Sequence, residues 1–203
     1  MSREKSHWSI VHAERRALVA DLEHLDDADW ATPSLCTGWT VHDVLAHLVN
    51  DATTTRLGFV VQLAAAGFDF DALNQRGVEA ERMARPQDTL ARFREVADRS
   101  TSAPTPAATR YVEAIVHGED IRRPLGIAHT YPVGAVLEAI AYQHKTPVAM
   151  GGGRELAAGH RLVATDARPE QSLSLGQGPA VRGTAIDLLL WLSGRDVAPE
   201  AIS

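Results

Sequence analysis

Tyr111 to Gly126 reads YVEAIVHGEDIRRPLG, and the helical reading of this stretch decides how the rest of the chain is organised. In a helix, Glu113 and His117 stand four residues apart on one face, about 5 to 6 Å apart at Cβ, so a carboxylate and an imidazole can close on one cation without backbone strain. Asp120 continues that face one turn on. A three-ligand site then needs one more imidazole from another helix, and the best upstream candidate is His47 in GWTVHDVLAHLVN. The plain alternative is a solvated carboxylate and imidazole pair.

Upstream, STSAPTPAAT is a turn-rich break in which Thr105 and Pro106 resemble an N-cap and first helical position, so this fourth helix is expected from there to about Pro124. A third helix opens at Pro86 and carries Leu90, Phe93, Val96 and Ala97 on one stripe to about residue 100. The polar stretch FDFDALNQRGVEAERMARPQ before it reads as a connection holding a short helix. The second helix is expected over about 41 to 65, with Thr40 as N-cap, Asp43 at the third helical position, and Val41, Val44, Leu45, Leu48 and Val49 as its apolar stripe.

At 100° per residue, His47 lies about 130° from the centre of that stripe, on a face shared with Asp43, Asp51, Thr54 and Gly58. That face meets either solvent or a site. Asp43 with His47 is a rival ligand pair at the same spacing, and Asp120 can orient a ligand histidine instead of touching metal. Sequence leaves these roles open. The first helix is expected over residues 3 to 25, with Val11, Leu18, Leu22 and Leu25 inward, before DDADWATPSLCTGW breaks the period with Pro33 and Gly38.

Downstream, YPVGAVLEAIAYQHK supplies a further helix that Gly151 to Gly153 stop. RLVATDA, QSLSLG and PAVRG then read as short strands, and TAIDLLLWLSGR as a terminal helix ended by Gly194. The expected class is α+β and mainly α, with a helical bundle over residues 1–150 and a small mixed α/β domain over 151–203.

Composition excludes more than it identifies. With 45% apolar and 23% charged residues, the 203-residue chain can bury a substantial core. A net charge of −6 and a pI near 5.8 give no general attraction to nucleic acid or anionic lipid, leaving only a local basic patch at Arg122 and Arg123 as a candidate contact. No nucleic-acid or membrane partner is expected. No apolar run approaches the roughly 20 residues of a spanning helix, and MSREKSHWSIVHAERR lacks the apolar h-region of a secretory signal. Cys36, the single cysteine, forbids an internal disulfide and suits a reducing cytoplasm, where the protein is expected. No base is evident beside Cys36, so it reads as a small buried hydrophobe rather than a nucleophile. GGGR at 151–154 lacks the lysine and hydroxyl of a phosphate loop and reads as a helix stop and linker. Nothing in the pattern separates a partner face from a core face, so the oligomeric state is not read here.

The pattern DADWATPSLCTGWTVHDVLAHL, then EAIVHGEDIRRPLG, then RLVATDA followed by GQGPAVRGTAIDLLLWLSGR, resembles the mycothiol-dependent maleylpyruvate isomerase family of DinB-like proteins. The resemblance spans nearly the whole chain and implies a DinB-like four-helix bundle. It implies a divalent metal, usually zinc, held by a histidine on the second helix and a Glu-x-x-x-His on a later one. By motif these are His47, Glu113 and His117. It also implies mycothiol as thiol cosubstrate, bound as a thiolate at the position that a two-imidazole, one-carboxylate zinc site leaves open.

Such a thiolate can add to an electrophilic alkene and be eliminated after rotation, as an isomerase requires, or displace a leaving group, as an S-transferase does. Arg182, where the C-terminal region enters its last helix, is the candidate thiol- or substrate-binding residue, since a guanidinium suits carboxylates. Two alternatives stand beside this reading: a metal-dependent hydrolase of the same superfamily, and a non-catalytic bundle that binds metal or a small molecule. The physiological substrate and any general acid or base stay unassigned.

Overall fold

In a computed structural model that describes residues 3–167, 174–197 and 202, the chain divides into two compact units, Met1–His129 and Thr130–Ser203. The boundary read from sequence, at 150, falls inside the second unit. Among the described residues the elements are nine α-helices, a short 3-10 turn and three strands, so the mainly helical α+β class holds.

The first unit is built on α1 (Arg3–Leu22), α3 (Val41–Thr53), α6 (Pro86–Val96) and α7 (Thr109–Arg122). Each packs on two of the others, α1 on α6 and α7 and α3 on α6 and α7, which closes a four-helix ring. At its centre Leu18, Leu22, Val44, Leu45, Leu48, Val49, Phe93, Val96 and Ile121 form one buried apolar cluster. Burying side chains of this size is worth roughly 1.5 to 3 kcal/mol each. Leu25, expected inside the first helix, lies beyond its end at Leu22 yet still packs on the cluster.

The loop between α1 and α3 holds one helical turn, α2 (Asp27–Trp30), fixed by a reciprocal capping box between Asp26 and Asp29. The remaining helices of the unit, α4 (Arg56–Ala65) and α5 (Phe70–Glu81), follow α3. The α5 helix lies close on α3, because a Cβ at Gly77 would come within 2.5 Å of the Asn50 side chain.

Three expectations are corrected here. The continuous helix over 41–65 is two helices, broken where Thr54 turns to φ −62°, ψ 126°. The hydroxyls of Thr53 and Thr54 both donate to the Asn50 carbonyl, and that of Thr55 accepts from Gly58 N–H to cap α4, so this threonine run ends one helix and starts the next. Helix α7 begins at Thr109 and not at Pro106: from Pro106 to Tyr111 the backbone winds through successive i to i+3 bonds, and Thr105 bonds the Thr109 hydroxyl. Arg122 and Arg123 are no basic patch. Arg122 is fully buried with its Nε 2.7 Å from Asp21, and Arg123 pairs with Glu119 at the same distance.

In the second unit α8 (Val133–Gln143) packs on α9 (Ala185–Leu192), and α9 on β1 (Arg161–Ala164) and β3 (Ala180–Gly183). The sheet order is β2-β1-β3, with β2 (Ser174–Gly176) antiparallel to β1 and β3 parallel to it, Leu162 facing Leu175 and Val181 in register. The first half of the expected strand QSLSLG lies outside the described residues. Gly151 does stop the helical path in a left-handed conformation, but the glycine run is a packed turn and not a linker: a Cβ at Gly153 would sit 2.4 Å from the Leu192 carbonyl oxygen.

Candidate metal centre

The site is built where α3 meets α7. Thr40 caps α3 by accepting from Asp43 N–H, while the Asp43 carboxylate accepts from the Thr40 backbone N–H at 2.9 Å. This fixes the helix start, and Val41, Val44, Leu45, Leu48 and Val49 then turn inward with at most 1% exposure. His47 is far from that stripe, yet it is only 7% exposed, because α7 covers the flank on which it stands.

Glu113 and His117 project from α7 toward it. His47 Nε2 is 3.2 Å from Glu113 Oε2, and His117 Nε2 is 3.3 Å from the same oxygen. One ligand atom from each of the three lies within 4.8 Å of the others, and the imidazole centroids are 4.6 Å apart at 69°. A tetrahedral ion bound at about 2.1 Å has ligand atoms about 3.4 Å apart, so the two carboxylate–imidazole separations match edges of such a site. The donor set, two imidazoles and one carboxylate, is also one that zinc accepts.

Burial alone would drive the Glu113 carboxyl up and the His117 imidazole down. Hydrogen bonds to His117 and His47 and their charges overturn this for Glu113, holding it well below the usual carboxylate range. His117 is held up to about 9 against the same burial, by its hydrogen bonds to Asp120 and Glu113 and by their charges. Without a cation, the cluster therefore sets an ionised carboxylate beside a His117 imidazole that holds its proton.

The other residues singled out from sequence separate cleanly. Asp120, fully buried, stands 2.9 Å from His117 Nδ1 and so orients the ring from behind. Asp43 is taken up elsewhere, by Thr40 and by the Arg82 Nε at 2.7 Å, and contributes no atom to the cluster. His47 Nδ1 is buried and has no hydrogen-bond partner among the described residues. That ring is held by packing instead, against Trp39 at 5.2 Å and His117. Cys36 packs against the core beside Trp39. Arg182 belongs to the second unit, exposed on β3 and in register with Val163.

Sequence reasoning set Asp51 on the His47 face without giving it a role, and missed Arg15. Arg15 is buried, donates to Asp51 at 2.9 Å and reaches the Arg99 carbonyl. Asp51 has its carboxyl raised, first by burial and then by the charge of Glu113, so the two carboxylates feel one another. The available signal was that Asp51 stands four residues after His47 on the same face of α3; its partner, on α1, gave none.

Residues 11–108 match the family described as the mycothiol maleylpyruvate isomerase N-terminal domain. No curated protein matches the chain in sequence. Two solved structures match its fold: a mycothiol-dependent maleylpyruvate isomerase, at TM-score 0.66 and 18% identity, and a histidine-to-alanine mutant of such an isomerase, at 0.61 and 16%. Each match covers 100% of this chain and 92% of the other. The ring of α1, α3, α6 and α7 and the small sheet after it thus share the fold of those isomerases, and residues 11–108 are similar to the mycothiol maleylpyruvate isomerase N-terminal domain.

Proposed function

We propose that the chain is a metal-dependent enzyme that uses mycothiol, as an isomerase or S-transferase, on a small electrophilic substrate. The observation that carries this reading is the convergence of His47, Glu113 and His117 from two helices, with edges of 3.2 and 3.3 Å and a buried carboxylate behind one imidazole. A divalent ion, most simply zinc, would be held by His47, Glu113 and His117, and would favour the thiolate form of a thiol near neutral pH.

The chain's own residues define the rest. Glu113, held well below the usual carboxylate range, balances one cationic charge. Asp120 accepts a hydrogen bond from His117 Nδ1–H, which turns the Nε2 of that ring to the site. Trp39 packs on the His47 ring and shields one side of it. Arg182 is assigned to an anionic group of thiol or substrate, on its chemistry and exposure. A cytoplasmic setting, with a low-molecular-weight thiol at hand, fits the lone reduced cysteine.

Metal content and mycothiol affinity of the native chain, His47→Ala and His117→Ala test the reading together. One equivalent of zinc is expected in the native chain and much less in either variant, with thiol affinity lost in parallel. Stoichiometric zinc in both variants removes the site. Arg182→Ala is expected to keep its metal and to raise KM for an anionic substrate or thiol by about tenfold or more, as loss of a charge-assisted hydrogen bond does. Turnover that needs no thiol points to the hydrolase alternative.

A further inference from the structure

The first unit has a cleft on the other side of α3 from the triad. His42 and His47 are five residues apart on that helix, about 140° in projection. His47 faces α7, whereas His42 faces α6, with its Nε2 2.9 Å from the Thr89 hydroxyl. Beside His42 opens a cleft of about 610 Å³, within the size range of small-molecule sites. Its walls include Trp30, Ala31 and Pro86, which are apolar, together with His42 and Arg82.

Arg82 is pre-oriented in this wall. Its Nε donates to Asp43 Oδ1 at 2.7 Å, and Asp43 is itself locked into the α3 cap by two bonds to Thr40. This leaves the two Nη groups of Arg82 without a protein partner among the described residues. An arginine held by its Nε and free at both Nη groups presents a planar pair of donors at little entropic cost. Trp30 is 2% exposed, and its ring backs the cleft as an apolar wall. His42 is held below its ordinary value by burial and then by the Arg82 charge, and so adds a neutral wall.

We propose that this cleft is a second small-molecule site that takes a small organic carboxylate, anchored on Arg82 and packed over the Trp30 wall. A monoanion with an apolar body fits better than a phosphate. Asp27 lines the cleft and Asp43 stands behind Arg82, so a dianion would meet two carboxylates; Arg85, the other guanidinium in the lining, is engaged by Asp88 at 2.9 and 3.0 Å, and the Trp30, Ala31 and Pro86 walls favour an apolar body that inorganic phosphate lacks. The reading is independent of whether the triad binds metal.

The test is a titration of the ¹⁵N-labelled full chain with benzoate, followed at the tryptophan indole and arginine Nε resonances, with Trp30→Phe to assign the indole. Saturable shifts at Trp30 and Arg82 are expected, and Arg82→Gln should weaken binding at least tenfold. Since that change also frees Asp43, Ala84→Phe serves as a second variant: it narrows the cleft at an exposed wall residue and removes no polar contact, and it too should weaken binding at least tenfold. Unchanged affinity in Ala84→Phe, shifts confined to Trp39 and the triad, or inorganic phosphate binding as well as benzoate would each overturn the proposal.

Discussion

His117 stands between two carboxylates, Glu113 at 3.3 Å and Asp120 at 2.9 Å, and this sandwich sets how the site answers to pH. Burial disfavours the imidazolium, but the two carboxylates outweigh it and hold the ring up to about 9. At pH 7 a cation must displace that proton, so metal affinity should rise about tenfold per pH unit from 7 and level off near 9. Chelator-buffered zinc or cobalt titrations at fixed ionic strength read this slope; a flat response between pH 7 and 9 would show that His117 gives up no proton. The metal-free chain should show the opposite trend. A raised folded-state value stabilises fully below the unfolded value of about 6.5, and that contribution disappears as pH rises through about 9, so denaturant midpoints of the metal-free protein should fall over this window. Glu113 adds the acid limb, because its depressed value stabilises above about 4.5 and is lost as the carboxylate is protonated. Asp120→Asn keeps the shape of the buried side chain but removes its charge. It should cut metal affinity by about 10- to 100-fold, the usual cost of losing an orienting carboxylate, and move the levelling point to lower pH.

Helix α3 carries one of the three ligands, and its first turn supports both the cap and the wall of the cleft. Thr40→Ala removes the hydroxyl that accepts from Asp43 N–H and bonds its carboxylate, and should cost about 0.5 to 2 kcal/mol in urea unfolding, as lost N-caps do. A change below about 0.3 kcal/mol would mean that burial of Val41 and Val44, and not the cap, fixes the start. The same helix shows what sequence can and cannot carry. Its beginning is legible because the capping box is local, spanning Thr40 to Asp43. Its end is not: the apolar pattern runs on through Leu57, Val60 and Val61, and only hydroxyl bonds to the Asn50 carbonyl, invisible to periodicity, break it at Thr54. Those three residues are exposed, and α4 buries no apolar stripe. Glu113 and His117 were legible as a pair because i,i+4 spacing is a local property. The buried Arg15–Asp51 pair was not, since its members are 36 residues apart and meet only through packing of α1 on the bundle. Nor did sequence foresee that Arg122 is internal, because a charged side chain enters a core only when a distant partner such as Asp21 is supplied.

At the scale of the molecule, the site is a clasp between segments far apart in the chain: His47 and Glu113 are separated by 66 residues, and the ring of helices must close before they meet. An unfolded chain offers no such preformed set of ligands, so binding free energy adds directly to the stability of the folded state. With free metal at 100 times its dissociation constant, the added stability is about 2.7 kcal/mol. For a chain of 203 residues this corresponds to a rise in melting temperature of about 5 to 10 °C over the chelated protein. His47→Ala should abolish the rise, while Leu48→Ala, which deletes a buried core side chain on α3 and removes none of the three ligands, should lower the chelated and loaded transitions by similar amounts, equivalent to about 2 to 5 kcal/mol. The contrast matters because a core cavity and a lost ligand both lower stability in the loaded protein, and only the second erases the difference between loaded and chelated states. Calorimetry of the two variants with and without chelator separates them, and a metal-dependent rise that survives in His47→Ala would place the bound ion somewhere other than the junction of α3 and α7.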